Sequence, residues 1–233
     1  MSRPFIFFDL GQTLIDEWDF IDYFDTRFLE TLNGFGARID QRNYRAVRDS
    51  VIRDRKIGHC SAEELVKVVC RLLAPSGYEK MILEKLRPEI RKGRKELFRF
   101  SDDADEVLSA LRGLKCDMGL IANQAEDVLE LVEKSGFGDF FKVRAISSVV
   151  KLEKPDPRIF ELAMKEAGRK ATECIMVGDR LDTDICPAHR LGMTTIRTTN
   201  SLFSLQQPRS ECEHATYTVA RLSEITGIVE EII

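Results

Sequence analysis

The chain has 233 residues, 43% of them hydrophobic and 32% charged, with a formal net charge of -4. This length suits one large domain or a core carrying a smaller unit, and the composition is that of an ordinary globular protein rather than a disordered or fibrous one. The mild acidity gives no electrostatic footprint for nucleic acid, and no stretch approaches the length of a membrane span, so neither is expected as a partner.

Residues 4–9 read as a fully buried strand, after which a long region to about residue 98 reads almost wholly helical. Within it Phe20, Phe24, Phe28 and Leu32 recur every fourth residue, and Asn33-Gly34 supplies a stop. A second amphipathic segment spans roughly 40–57. Ser61-Ala62-Glu63-Glu64 has the form of a capping box and predicts a third helix start, which Pro75-Ser76-Gly77 then breaks. A fourth helix is expected over 78–92, with Pro88 able to kink or divide it.

From Ser101 the pattern becomes βαβ, the signature of a parallel sheet. The predicted elements are helix 102–112, strand 117–122, helix 125–134, strand 142–146, helix 157–167, strand 174–178, helix 183–191, strand 194–198, a short strand at 217–219 and a helix near 222–231. The first strand belongs to this sheet, so the helical block is an insertion. The expected organisation is an α/β fold: a Rossmann-like parallel sheet core over 1–15 and 99–233 with an inserted all-helical cap over 16–98. The opening apolar run is too short for a secretory h-region. The six cysteines (Cys60, Cys70, Cys116, Cys174, Cys186, Cys212) form no Cys-x-x-Cys pair and no even spacing, so neither a zinc ribbon nor a disulfide framework is indicated, and a cytoplasmic location is expected.

Asp9 ends the first strand where a turn containing Gly11 begins, which makes it a candidate nucleophile at the crevice where open sheets bind ligands. Three further stretches follow strand ends. In Ala122-Asn123-Gln124 the Asn123 amide can face a ligand, although an Asn in such a place is often only a turn residue. Lys154 precedes a Pro-Asp-Pro helix start and reads either as a solvated lysine or as a clamp for a transferring phosphoryl group. In Val177-Gly178-Asp179-Arg180-Leu181-Asp182-Thr183-Asp184 several acids share one turn, which favours a divalent ion such as Mg²⁺. Asp182 reads as a helix cap and Asp179 as a metal ligand.

Taken in order, Phe-Phe-Asp9-Leu-Gly-Gln-Thr13-Leu, Gly-Leu-Ile-Ala122-Asn123, Lys154-Pro-Asp-Pro-Arg-Ile-Phe and Val-Gly-Asp179-Arg-Leu-Asp-Thr-Asp184 resemble the four motifs of the haloacid dehalogenase (HAD) superfamily of aspartate-nucleophile hydrolases. The helical insertion is similar to that superfamily's C1 cap. The resemblance implies that Asp9 attacks phosphorus to form an aspartyl-phosphate and that Lys154 holds nucleophile and phosphate. Asp9, the Gly11 carbonyl, Asp179 and Asp184 would bind Mg²⁺, and Gly11, Gln12, Thr13, Ala122 and Asn123 would line the substrate. The implied partner is a small phosphorylated compound.

Two positions depart from the family pattern. Gly11 stands where the phosphatases have the Asp that protonates the leaving group, help typically worth about 10²–10⁴ in rate. Ala122 replaces a Ser or Thr hydroxyl, a loss on the order of 1 kcal/mol. Gln12 stands where Gly is usual and can occupy some of the vacated space. Asp16, Glu17 and His59 are candidates for a substitute acid. The arginines at 38, 42, 45, 48, 53 and 55 point either to an anionic substrate or to a solvated helical face. The leading expectation is a Mg²⁺-dependent phosphatase, and the alternative is a catalytically impaired module of the same fold that binds a phospho-ligand or a protein. Dehalogenases and phosphonatases fit less well. The first do not need the metal acids, and the second use a cap lysine that Lys56 or Lys67 cannot be shown to replace.

Overall fold

Four consecutive apolar residues, Phe5–Phe8, form strand β1 and are all buried, as a strand covered on both faces of a parallel sheet requires. The computed structural model describes residues 3–58 and 62–233. The chain divides into two compact units, Met1–Asp16 with Arg99–Ile233, and Glu17–Phe98.

The second unit consists of helices α1 (Trp18–Gly34), α2 (Gln41–Arg53), α3 (Ala62–Leu73) and α4 (Glu79–Glu96). Phe20, Phe24, Phe28 and Leu32 form the buried stripe of α1, and successive rings of the three phenylalanines stand 6.1 and 5.6 Å apart. Asp40 caps α2 by accepting from the Asn43 amide. Pro88, read as able to kink or divide the fourth helix, does not divide it. One helix runs through it, because the buried Ile82, Leu83, Leu86 and Ile90 hold both halves on one apolar face. The capping box read at Ser61 lies outside the described residues.

Two of the six arginines read as pointing to an anionic substrate, Arg45 and Arg48, are paired within this unit. Arg48 is buried and its Nη1 pairs with the buried Asp25 carboxylate, whose other oxygen accepts from Tyr44 Oη at 2.8 Å. Arg45 pairs with Asp22 at 3.0 Å and also faces Asp25. Burial pushes Asp25 above the ordinary carboxylate range, and Arg48 and Tyr44 work against that rise.

The first unit continues with α5 (Ala104–Gly113), β2 (Asp117–Ala122), α6 (Asp127–Lys134), β3 (Phe141–Ile146), a single turn α7 (Ser147–Val150), α8 (Pro157–Ala167), β4 (Cys174–Gly178), α9 (Cys186–Leu191), β5 (Thr194–Thr198), β6 (Tyr217–Val219) and α10 (Glu224–Ile232). The six strands are all parallel in the order β3-β2-β1-β4-β5-β6, so the expected Rossmann-like α/β core is what the chain forms. Phe5 and Phe7 of β1 share a core with Ile121, Val143, Met176 and the inner face of α8 (Ile159, Phe160, Ala163). A fully buried phenylalanine of this kind contributes about 1.5–3 kcal/mol. The order of strand connection reverses at β1, with β2 on one side and β4 on the other, and open α/β sheets bind ligands at such a point, outside the carboxyl ends of the strands.

One cysteine expectation is corrected. Cys186, which opens α9, and Cys212, in a 3₁₀ turn over Glu211–Glu213, form a disulfide. Their separation of 26 residues matches no motif, and the fold of the β5-to-β6 connection brings them together. Cys70, Cys116 and Cys174 are free and buried. No helix among the described residues is long and apolar enough to cross a membrane.

Candidate active site

Asp9 follows β1 directly, and its amide donates to the Val177 carbonyl of β4 at 2.9 Å, which fixes it at the reversal point of the sheet. Its side chain keeps 13% exposure, while Lys154, Asp179 and Asp184 are almost fully buried. The Lys154 ammonium donates to Asp9 Oδ1 at 2.7 Å and to Asp184 Oδ1 at 2.5 Å. It therefore bridges the end of β1 to the turn after β4.

Lys154 is fixed at its backbone as well. Asn123, just past β2, donates from Nδ2 to the Lys154 carbonyl at 2.8 Å and accepts at Oδ1 from the Lys154 amide at 2.7 Å. This two-point clamp occupies both functional atoms of the Asn123 amide, so Asn123 sets the lysine instead of offering its side chain to substrate. The Lys154–Pro155 peptide is cis.

The turn after β4 is a π-helical turn, Leu181–Ile185, placed before α9. Its wide winding buries Asp184, whose Oδ2 accepts from the Arg180 amide at 3.0 Å while Oδ1 takes the lysine. Gly178 makes room for this: a Cβ there would lie 2.6 Å from the Asp184 carboxyl atoms. Asp182, expected to cap the helix, pairs instead with Arg180 at 2.9 Å, and neither the turn nor α9 has a side-chain cap.

Electrostatics separate these groups from ordinary ion pairs. Burial pushes Asp179 well above the ordinary carboxylate range, and the neighbouring Asp184 and Asp9 charges push it further. Burial also raises Asp184, to about 6, with Lys154 opposing and Asp9 adding to the rise. For Lys154, burial alone would depress the ammonium, but Asp184 and Asp9 outweigh it and hold the group above its usual value. Two of the three carboxylates, Asp9 and Asp184, thus share one close amine, and Asp179 lies beside them without it.

The donor set fits a divalent cation. One ligand oxygen from each of Asp9, Asp179 and Asp184 lies within 4.8 Å of the other two, and Asp179 Oδ2 is buried without a hydrogen-bond partner. An unpaired carboxylate oxygen in such a place is costly unless a cation meets it. Hard oxygen ligands in small number are what Mg²⁺ takes, with water and substrate oxygens completing its shell.

The remaining expected residues lie in the Leu10–Ile15 turn and at the end of β2. Gly11 forms a bridge with Ile15 and has no side chain to donate a proton. The Thr13 hydroxyl is buried and unpartnered. Ala122 is fully buried. Gln12, read as able to occupy some of the vacated space, accepts at Oε1 from the Leu202 amide at 2.7 Å. Of the substitute acids, Asp16 is paired with Arg99 at 2.7 Å, and His59 lies outside the described residues. Ser201, whose hydroxyl hydrogen-bonds to Asp179, was not singled out in the sequence, since an isolated serine carries no local signature.

Known proteins share this architecture and sequence pattern. The chain is 26% identical over 233 residues to a glyceraldehyde 3-phosphate phosphatase of Methanocaldococcus jannaschii, covering 97% of each chain. It is 27% identical over 233 residues to the pyrimidine 5'-nucleotidase YjjG of Escherichia coli, covering 98% of this chain and 99% of that protein. The HAD-hydrolase YfnB of Bacillus subtilis, solved bound to magnesium, superposes with a TM-score of 0.70 at 18% identity over 98% of this chain and 99% of that one. The profile of the family described as haloacid dehalogenase-like hydrolase matches residues 6–198, and with that match spanning the sheet from β1 to β5 the chain belongs to this family of enzymes.

Proposed function

We propose that the protein is a Mg²⁺-dependent phosphatase of a small phosphorylated metabolite, working through an aspartyl-phosphate on Asp9. One observation carries the reading: the Lys154 ammonium bridges Asp9 and Asp184 beside Asp179, whose buried Oδ2 has no partner. Asp9, Asp179, Asp184 and the Gly11 carbonyl would hold the ion, which when bound supplies positive charge to the phosphoryl oxygens. An Asp9 oxygen attacks phosphorus, the bond to the leaving oxygen breaks, and water then cleaves the acyl phosphate. Lys154 orients Asp9 and neutralises charge on the transferring group, while the Asn123 clamp keeps the lysine in place. Relatives named for glyceraldehyde 3-phosphate and pyrimidine 5'-nucleotides support a small phosphate ester as substrate, and a magnesium-bound neighbour of the same fold supports the ion. The helical unit is assigned here as a substrate-selecting cap of the C1 type.

Gly11 shapes the expected chemistry. Without a carboxyl group at this position the leaving oxygen departs unprotonated by it, a handicap of about 10²–10⁴ for poor leaving groups. Phosphate release from an aryl and an alkyl ester, with and without Mg²⁺, tests the reading. Wild type is expected to cleave the aryl ester only with the ion, Asp9→Asn to lose that activity, and Gly11→Asp to gain on the alkyl ester. No metal-dependent release from either ester would sink the phosphatase. That outcome would favour the binding module, to which Gly11 and Ala122, the two lost side chains, already point.

A further inference from the structure

Gln12 carries a positive φ of 52°, a left-handed backbone that a glutamine adopts only at a cost of about 1 kcal/mol or more. A glycine would sit there free of strain. The glutamine side chain has a use, however: its Oε1 accepts from the Leu202 amide at 2.7 Å, joining the nucleophile turn to the segment after β5.

That segment reaches the metal acids. Ser201 is buried, its Oγ accepts from the Phe203 amide at 3.0 Å, and it hydrogen-bonds to the Asp179 carboxylate. The Arg197 side chain, buried at the end of β5, donates to the Phe203 carbonyl at 2.9 Å and the Gln206 carbonyl at 3.2 Å. The Arg180 guanidinium lies over the Phe203 ring, 4.3 Å from its centroid. The segment is therefore anchored on the β5 and Asp179 sides by several contacts, and Gln12 joins it to the loop that carries Asp9.

We propose that Gln12 is a positioning residue: by holding Leu202 it sets the distance between the Asp9 turn and the Ser201–Asp179 pair, and so the spacing of the acids that receive the ion. This rests on the Mg²⁺ site proposed above. The strained backbone places at this position a side chain long enough for its Oε1 to reach the Leu202 amide.

A double-mutant cycle read by Mg²⁺ calorimetry on the metal-free protein tests it. Gln12→Met keeps the length and removes the acceptor. Leu202→Pro removes the donor, and the extended Ser201 before it (φ -149°, ψ 163°) has the backbone a proline demands of its predecessor. Each variant is expected to weaken Mg²⁺ binding about fivefold, the worth of one neutral hydrogen bond. The double variant is expected to weaken it about fivefold as well, since both changes remove the same bond. Gln12→Glu, which keeps an acceptor, is expected to bind no more weakly than wild type. Effects that multiply in the double variant, single variants that bind like wild type, or a Gln12→Glu as weak as Gln12→Met would each overturn the proposal. A wild type that binds no Mg²⁺ would overturn the metal site itself, a different result from an intact site indifferent to residue 12.

Discussion

Two groups of buried charge, one in each unit, differ in their balance. In the helical unit the buried Asp25 is matched by the buried Arg48 and the Tyr44 hydroxyl, while Arg45 and the remaining Arg48 donors meet the more exposed Asp22 and Asp49. At the carboxyl ends of β1 and β4, Asp9 and Asp184 share the ammonium of Lys154 while Asp179 lies beside them without it, and one buried Asp179 oxygen is unpartnered. The first arrangement neutralises itself and needs nothing more than a fold. The second stays acid-rich, the condition that a cation supplied from outside would balance. Burial of charge is therefore a poor guide to function on its own; the sign and size of what is left over are the better guide.

The largest expected effect lies in the balanced group. Arg48→Met leaves Asp25 buried beside a more distant arginine, and urea unfolding should show a loss of about 3–5 kcal/mol. A loss below about 1 kcal/mol would mean that Arg45 and Tyr44 suffice and that the two groups differ less than their geometry says. The acid-rich group should respond in the opposite direction. Asp179→Asn removes a charge that burial and two like neighbours already disfavour, so the metal-free protein should gain about 0.5–2 kcal/mol while Mg²⁺ binding weakens by tenfold or more. A variant that loses stability together with affinity would break the contrast. The smallest effect should be found at the two thiols that serve as internal references. Burial pushes Cys70 in the helical unit and Cys174 in the sheet up to about 12, against an ordinary value of 9.0. Both should stay unalkylated by iodoacetamide at pH 8 in the native state. Since each folded thiol lies above its unfolded value, its contribution to stability is full below about pH 9 and is lost as pH rises towards 12. Rapid native labelling of one but not the other would show that unit opening locally.

Much of the sheet was legible because its strands are short apolar runs closed by turn residues. Strands 117–122, 174–178, 194–198 and 217–219 stand at the bounds their patterns predict. Helix 157–167 does too, since Asp156 and Pro157 mark its start and Gly168 its end. Local signals failed where tertiary contacts decide. Pro88 has the chemistry of a breaker, but an apolar face continuous from Ile82 to Ile90 carries the helix past it. The partners of Asn123 and Gln12 lie 31 and 190 residues away, so no window of sequence holds both ends of either contact. Asp9 and Asp179 could be named as candidates because each directly follows a strand, and Lys154 and Asp184 because their motifs resemble the family's, whereas the bridging of two acids by one lysine exists only once β1 and β4 are neighbours.

Gly178 carries a last consequence, for anyone wishing to transplant this chemistry. Hydrogen is the only substituent that position 178 can bear beside the Asp184 carboxyl group, so an empty volume is as much a component of the constellation as any carboxylate. A design that copied the acids and the lysine onto another sheet but left an alanine at that strand end would hold the right functional groups and displace one of them.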